Sequence, residues 1–499
     1  MTDATEGLLL GVDIGSASSK ASLVTPGGVI VASASVAHEM SIPRPGWAEQ
    51  DADDVWWNDF TMLCRRLFAE TGFSGDQVLG VGVSAIGPCA LPLDGGGKPL
   101  RPGILYGVDG RAAEQIRRLE DEIGRDRIRE IAGMDLSSQA VGPKIMWIRD
   151  EEPDVWSSTA MVTTASSYVV YRLTGEHVID HHTAAHTIPL YDAATESWSD
   201  TYADMVIEPD RLPRLAWSQE RAGSITDLAA EQTGLRSGTP VAVGTVDALS
   251  EAIGVGAVSV GDLMLMYGST AFFILVASDP NPAPGMWLLP GPFPGSRTVA
   301  AGMSTTGSLT EWFRRTMAAE LPDDEAFETL FASARGVPAG SRGLIVLPYF
   351  AGERTPINDP DARGVFAGLS LAHDRADMFR AVLEGVAYGI RHNLEAMAEA
   401  GAPVGRVVAV GGGTTGDFWT QIVSDVTGIA QELPRDGGGA VLGDAFLAAV
   451  VSGLLDLEDL DGWCETSRVI EPRPSDGTYE EGYRRYRALY PAVSGAMTL

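Results

Sequence analysis

Val243–Leu275 reads VGTVDALSEAIGVGAVSVGDLMLMYGSTAFFIL. The stretch predicts, in order, a strand, a carboxylate at Asp247, a short helix and a β-hairpin with Gly268-Ser269-Thr270 at its tip. The hairpin arms Leu263–Tyr267 and Ala271–Leu275 are almost wholly apolar and aromatic, as buried strands are. Glycine lets a backbone approach closely, so such a tip can present N–H groups and hydroxyls to an anion.

The N-terminus carries the same device. Leu8–Ile14 is an apolar strand bearing Asp13, followed by Gly15-Ser16-Ala17-Ser18-Ser19-Lys20 and a second strand, Ala21–Val24. Each half of the chain therefore opens with strand, Gly-Ser-rich tip, strand. One reading is two related domains offering hydroxyl-rich turns to one phosphate chain, with Asp247 beside it. Two ordinary hairpins and a solvated aspartate explain the spacing equally well.

Composition narrows the class. A chain of 499 residues exceeds the ~250–300 at which single cores stop growing, so at least two domains are expected. A net charge of −31 speaks against nucleic acid and anionic membrane, both of which are bound through Lys and Arg. The acidic start Met1–Glu6 has no signal-peptide character. The uncharged run Leu263–Ser278 falls short of the ~20 residues that a membrane span needs. Cys64, Cys89 and Cys464 lack CxxC spacing and read as free thiols, which with the preceding points suggests the cytoplasm.

Further elements follow from turn residues and periodicity. Val55–Thr71 is an amphipathic helix stopped by Gly72, and Val78–Ser84 is a strand. Asp109-Gly110-Arg111 leads a charged helix through Glu130. Pro240–Val246 is a strand leading to Asp247. Asp374 and Asp377 cap a long helix with apolar positions at helical spacing. Arg406–Val410 is a strand running into Gly411-Gly412-Gly413, which frees N–H groups at a helix start. Gly437-Gly438-Gly439 opens a last small-residue helix, Ala440–Val451.

Several motifs are absent. Gly97-Lys98 is followed by Pro99, so there is no P-loop, and no GxGxxG follows the first strand. No GxSxG elbow is present. His177, His181, His182 and His186 look like loop or strand residues rather than a metal site, which would need helix geometry and supporting carboxylates.

Beyond these local features, the chain resembles the FGGY carbohydrate kinases over almost its full length. Gly364-x-Phe366-x-Gly368-Leu369, seven residues, then Asp377-Met378-x-x-Ala381-Val382-Leu383-Glu384 matches the family's second signature. The first signature is partly met by Lys144–Ile148. Gly11–Ser16 resembles the family's opening phosphate loop, and Gly46–Asp51 and Tyr171–Gly175 resemble further landmarks.

The resemblance implies an α/β fold of two actin-like (ribonuclease-H-like) ATPase domains with an interdomain cleft, divided as 1–248 (sugar, first phosphate loop) and 249–499 (nucleotide, second phosphate loop). It implies ATP-dependent phosphorylation of a sugar or polyol hydroxyl with Asp247 as general base. Phosphate-contacting positions would be Ser16, Ser18, Lys20, Gly268, Ser269 and Thr270. Nucleotide-contacting positions would be Gly307, Gly411, Gly412 and Gly416. Asp109, Arg111 and Asp247 would meet the substrate, and Asp13 with Asp247 would face Mg2+. A homodimer stays open.

D-Xylulose is the first expectation, since the xylulokinases look nearest. They place Gln-Met-His after the strand that matches Val81–Ser84, whereas this chain has Ile86-Gly87-Pro88, which cannot bind a sugar through polar side chains. The glycerol kinases' Arg-Glu pair is missing there too, and the loop before Asp109 is one residue longer than in xylulokinases. Ribulose, a glycerol- or erythritol-type polyol or gluconate are therefore alternatives. In another class, an actin-like ATPase switch would keep the phosphate tips without a sugar pocket. A sugar-sensing repressor lacks the basic helix-turn-helix it would need before Leu8.

Overall fold

The computed structural model describes residues 7–281, 283–435 and 439–497. The chain forms two compact units, neither of them a single run of sequence. Unit 1 comprises Met1–Val258, Leu288–Thr298 and Gly438–Glu465; unit 2 comprises Ser259–Trp287, Val299–Gly437 and Thr466–Leu499. In this division the Asp247–Gly254 helix and the helix Ala440–Val451 both fall in unit 1 with the first sheet.

Unit 1 is built on seven strands: Leu8–Ile14 (β1), Ser18–Val24 (β2), Ile30–Ala37 (β3), Val78–Ala85 (β4), Arg221–Ser224 (β5), Pro240–Ala242 (β6) and Thr245–Val246 (β7). Their order is β5-β6-β4-β1-β2-β3, with β7 also on β4. β1 to β3 form an antiparallel meander, while β1, β6 and β7 all run parallel to β4. β1 is buried at nearly every position because helices cover both faces of the sheet. The helix Asn58–Thr71 supplies Phe60, Leu63 and Leu67 to one face and ends at Gly72, which takes the left-handed conformation.

Ala440–Val451 covers the other face and, Asp444 apart, is apolar all round, as suits a helix buried on most sides. It lies directly on glycines of the sheet. A Cβ on Gly11 would stand 2.0 Å from the Val441 carbonyl oxygen, and one on Gly80 would stand 2.4 Å from that of Ala448. Gly439 precedes this helix, whereas Gly437 and Gly438 lie outside the described residues.

Unit 2 repeats the pattern with Asp262–Tyr267 (β8), Ala271–Ala277 (β9), Arg297–Met303 (β10), Arg406–Val410 (β11), Gln431–Pro434 (β12) and Thr466–Ile470 (β13). These strands stand in the order β10-β9-β8-β11-β12-β13. β8 pairs antiparallel with β9 and parallel with β11, just as β1 pairs with β2 and β4. The 25-residue helix Arg375–Glu399 packs here. Asp374 accepts from the backbone of Ala376 and Asp377, and Asp377 returns the bond to Asp374 N, the capping box that the sequence announces.

Three local expectations are corrected. The helix after Arg111 is two helices, Ala113–Ile123 and Arg125–Ala132, because Gly124 breaks the run at φ 90°. The strand before Asp247 is interrupted at Gly244, at φ 72°, where a Cβ would meet Val83 O at 2.0 Å. The histidine segment is a short strand, Val178–Asp180, followed by a helical turn, His181–Ala184.

Candidate active site

Asp247 is the first residue of the Asp247–Gly254 helix, immediately after β7. Thr245 in β7 donates to Asp180 Oδ2 at 2.8 Å, and Thr183 N donates to the same oxygen at 3.0 Å. That buried carboxyl therefore fixes the strand end that aims Asp247. Asp247 Oδ1 accepts from Ala248 N at 2.7 Å. The side chain keeps partial solvent access, yet the protein packed around it removes most of the water that would stabilise its charge. Desolvation raises its pKa above the ordinary carboxylate range, making it a stronger base.

Two further carboxylates face it. Asp13, on β1, is raised by burial and by the Asp247 charge, with Lys20 acting the other way. Asp13 and Lys20 are cross-strand partners on β1 and β2. Glu251 lies one helical turn beyond Asp247, on the same helix face. Burial and the Asp247 charge push it up to about 7, again opposed by Lys20. Glu251 escapes a reading of the sequence that looks for motifs; its signal is the i, i+4 spacing from Asp247.

The turn that carries Ser16 and Ser18 is braced from below. Gly15 N donates to Ser18 O at 3.1 Å, and Gln50 Nε2 donates to Ser16 O at 3.0 Å. His38 places Nε2 3.0 Å from Gly15 O and Nδ1 2.7 Å from Asp59 Oδ2. Both partners are acceptors, and the bond to Asp59 raises the His38 pKa, which favours the imidazolium. Ser16 and Lys20 are exposed, and Ser18 is half-buried.

Unit 2 holds a cavity of about 600 Å3, a size that suits a small-molecule ligand. Gly268, Ser269, Gly307, Gly412 and Gly416 line it, whereas Thr270 and Gly411 do not. Thr270 is exposed beside it on the β8–β9 turn. The backbone groups of the Gly268-Ser269-Thr270 tip are largely occupied: Gly268 N donates to Thr270 O, while Gly307 N and Ser308 N donate to the carbonyls of Gly268 and Ser269. The tip thus caps the Gly307–Met317 helix through its carbonyls, and the Ser269 and Thr270 hydroxyls stand on its exposed side.

The rest of the wall is a mixture of aromatic rings and polar residues, among them Thr310, Glu311, Glu328 and Thr415. Phe327, Phe331, Phe418 and Trp419 line the cavity with Tyr267, and Arg335 lies 4.8 Å from the Phe418 ring centroid. A Cβ on Gly412 or Gly416 would meet nothing within 4 Å, so backbone alone faces the space. A flat ring can lie against such a surface, with stacking partners nearby.

Asp109 and Arg111 are brought together but closed off. Arg111 Nε and Nη2 embrace Asp109, Nη1 reaches Glu49 at 2.7 Å, and neither side chain of the pair has exposed surface. The Arg111 guanidinium lies 4.1 Å from the Trp47 ring and 4.9 Å from the Trp147 ring. Asp109 Oδ2 also accepts Ala48 N at 2.7 Å. The pair holds the Gly46–Asp51 loop, and a substrate hydroxyl reaches it only if these side chains part.

The histidines do not converge on a metal. His181 bonds Tyr191 and His182 bonds Pro290 O, while burial pushes His182 down to about 4 and His186 to about 3. Among the described residues no group of three or more His, Cys, Asp or Glu is placed to hold a metal ion. Nor is any helix among them long and apolar enough to cross a membrane.

Comparison with known proteins identifies the family. Residues 8–254 match the N-terminal domain, and residues 263–452 the C-terminal domain, of the FGGY family of carbohydrate kinases. The chain is 30% identical to the xylulose kinase of Escherichia coli K12 over 451 residues, 89% of this chain and 90% of that one. It is 25% identical to the gluconokinase of Bacillus subtilis over 492 residues, 97% of this chain and 94% of that one. The crystal structure of xylulose kinase from Rhodospirillum rubrum superposes with a TM-score of 0.92 at 32% identity, covering 98% of this chain and 99% of that one. The two sheet-centred α/β units are accordingly actin-like (ribonuclease-H-like) ATPase domains. The chain belongs to the FGGY family of carbohydrate kinases and is an ATP-dependent sugar kinase.

Proposed function

We propose that this kinase transfers the γ-phosphoryl group of ATP to a hydroxyl of a ketose such as D-xylulose, with Asp247 as general base. The observation that carries the reading is Asp247 itself: a carboxylate fixed at a strand–helix junction, partly open to solvent and made more basic by desolvation. A sugar hydroxyl is a weak nucleophile, and a carboxylate within ~2.6–3.2 Å takes its proton as the bond to phosphorus forms. Phosphoryl transfer otherwise asks for positioning and for donors aimed at the equatorial oxygens.

Ser16, Ser18 and Lys20, and the hydroxyls of Ser269 and Thr270, supply such donors in this reading. The unit 2 cavity takes the adenosine, its ring lying against Gly412 and Gly416. Gly307 lines the same cavity, and Gly411 acts behind that surface by shaping the turn. Asp109 and Arg111 hold the Gly46–Asp51 loop toward the sugar. The reaction belongs in the cytoplasm, where ATP is available and Cys64 and Cys89 remain thiols.

Mg2+ fits the donors present. It is commonly held by one or two carboxylates together with substrate phosphates, and Asp13 and Asp247 are two carboxylates that repel one another. Those two residues would hold the ion, which when bound neutralises charge on the phosphate oxygens.

The residues after β4 favour a second substrate reading. Ile86-Gly87-Pro88 offers no side-chain hydrogen bonds, so another ketose such as ribulose, a glycerol- or erythritol-type polyol, or an aldonate such as gluconate stays in play. An ATP-coupled assay over ketoses, polyols and aldonates tests this. Sugar-dependent ADP release with the highest kcat/KM on D-xylulose supports the first reading. A preference for gluconate or a polyol moves the assignment, and ATP hydrolysis indifferent to every alcohol overturns it in favour of a switch.

A further inference from the structure

Asp444 has no solvent exposure within the Ala440–Val451 helix. Its Oδ1 lies 2.7 Å from Ser250 Oγ and its Oδ2 lies 2.8 Å from Ser84 Oγ. Each serine has a second acceptor. Ser250 Oγ is 2.9 Å from Ala440 O, and Ser84 Oγ is 3.5 Å from Asp13 Oδ1, at the outer limit of hydrogen bonding. Ser84 and Asp13 are register partners on the parallel strands β4 and β1.

The two protonation states of Asp444 assign these hydrogens differently. A serine hydroxyl has one to give. An ionised Asp444 would draw the hydrogens of both serines, leaving Asp13 without its Ser84 donor. A carboxylic acid supplies the missing hydrogen: its O–H donates to Ser84 Oγ, whose own hydrogen turns to Asp13. Full burial pushes the Asp444 carboxyl well above its ordinary range, which favours the same state.

We propose that Asp444 is a positioning residue for phosphoryl transfer: held as a neutral acid, it directs the Ser84 hydroxyl onto Asp13 and so fixes the Asp13 carboxylate beside Asp247. The inference rests on the reading of Asp13 and Asp247 as reaction-centre groups. Asp444 itself touches no substrate. Its role is directional, which a packing role is not: an asparagine preserves the pattern, since its amide N–H donates to Ser84 and its oxygen accepts from Ser250.

The experiment uses the full-length enzyme with Ser84→Ala, Asp444→Asn and Asp444→Ala. Each is followed by thermal unfolding, sugar-dependent ADP release and infrared spectroscopy at pH 8. Ser84→Ala is expected to lose about tenfold or more in kcat, the size of a hydrogen bond to a charged group, with KM for the sugar unchanged. Asp444→Ala should fall equally, the Ser84→Ala/Asp444→Ala double variant no further, and Asp444→Asn should restore most of kcat. The infrared difference between wild type and Asp444→Asn should show a protonated carboxyl band lost in the variant, a readout that needs no substrate. Wild-type kcat in a folded Ser84→Ala enzyme, an Asp444→Asn enzyme as slow as Asp444→Ala, or no protonated band would overturn the proposal. If the wild-type enzyme phosphorylates no alcohol, the functional reading fails instead, and the infrared result still decides the state of Asp444.

Discussion

The carbonyl oxygen of Asp444 lies 1.9 Å from where a Cβ on Gly82 would stand. With Gly11 and Gly80, this glycine makes a smooth patch across β1 and β4 on which the Ala440–Val451 helix rests backbone to backbone. A methyl group has nowhere to go, because the obstacle is main chain rather than a flexible side-chain end. Gly82→Ala and Gly11→Ala are each expected to cost roughly 3 kcal/mol by overpacking. Thermal unfolding would register this as a clear loss of Tm, and an unchanged Tm would mean that the helix is free to move off the sheet.

Asp247 should separate chemistry from nucleotide binding. Asp247→Ala is expected to lower kcat by about 10²–10⁴-fold, the usual worth of a positioned base. Calorimetric titration with ATP should give nearly wild-type affinity, since the aromatic cavity of unit 2 is untouched. A variant that folds normally and loses ATP binding along with turnover would assign the side chain to nucleotide capture.

Much of this was legible in sequence, and the reason is locality. β1, β11 and the Ala440–Val451 helix are bounded by their own glycines and apolar runs, so their limits follow from neighbouring residues. Asp247 stands out by its place between an apolar strand and a small-residue helix and by the resemblance to the family, since its spacing alone also fits a solvated aspartate. What escaped was assembled from distant residues. Ser84 and Asp444 are 360 positions apart, and Trp47 and Trp147 enclose Arg111 from two separate segments. Phe327 and Phe331 have ordinary helical spacing that gives no hint of a cavity wall. Asp109 and Arg111 were legible as a pair, but not as a buried one.

The carboxylate cluster sets opposite pH trends for stability and activity. Glu251 has its pKa raised from 4.5 to about 7, so the folded state binds its proton more tightly than the unfolded state does. Its contribution to stability is full below about 4.5 and is lost as pH rises through about 7. Wild-type Tm should therefore fall more steeply over that interval than the Tm of Glu251→Gln. Activity runs the other way, since Asp247 must be ionised to accept a proton and its pKa too is raised by desolvation. The acid limb of kcat/KM is expected above the ordinary carboxylate pKa of about 4. Parallel Tm profiles for wild type and Glu251→Gln would show that Glu251 is solvated, and an acid limb at ordinary carboxylate pH would show the same for Asp247.

Two neighbouring glycines should respond in opposite ways to substitution. Gly411 sits at φ 91°, and a Cβ there would lie 2.6 Å from Tyr267 O, so Gly411→Ala strains the turn out of β11. Gly416 has an ordinary extended conformation at φ −121° and nothing within 4 Å of a Cβ. A leucine at 416 is therefore sterically free, but it projects into the space between Phe331, Phe418 and the glycine backbone. Gly416→Leu is expected to keep its Tm and raise KM for ATP by about tenfold or more, since excluding a ring from one face of its site forfeits stacking contacts worth roughly 1–3 kcal/mol. Gly411→Ala should do the reverse, lowering Tm with a smaller change in KM. If Gly416→Leu binds ATP as wild type does, the base does not occupy this cavity, and the aromatic wall of Phe327, Phe331 and Phe418 serves packing alone.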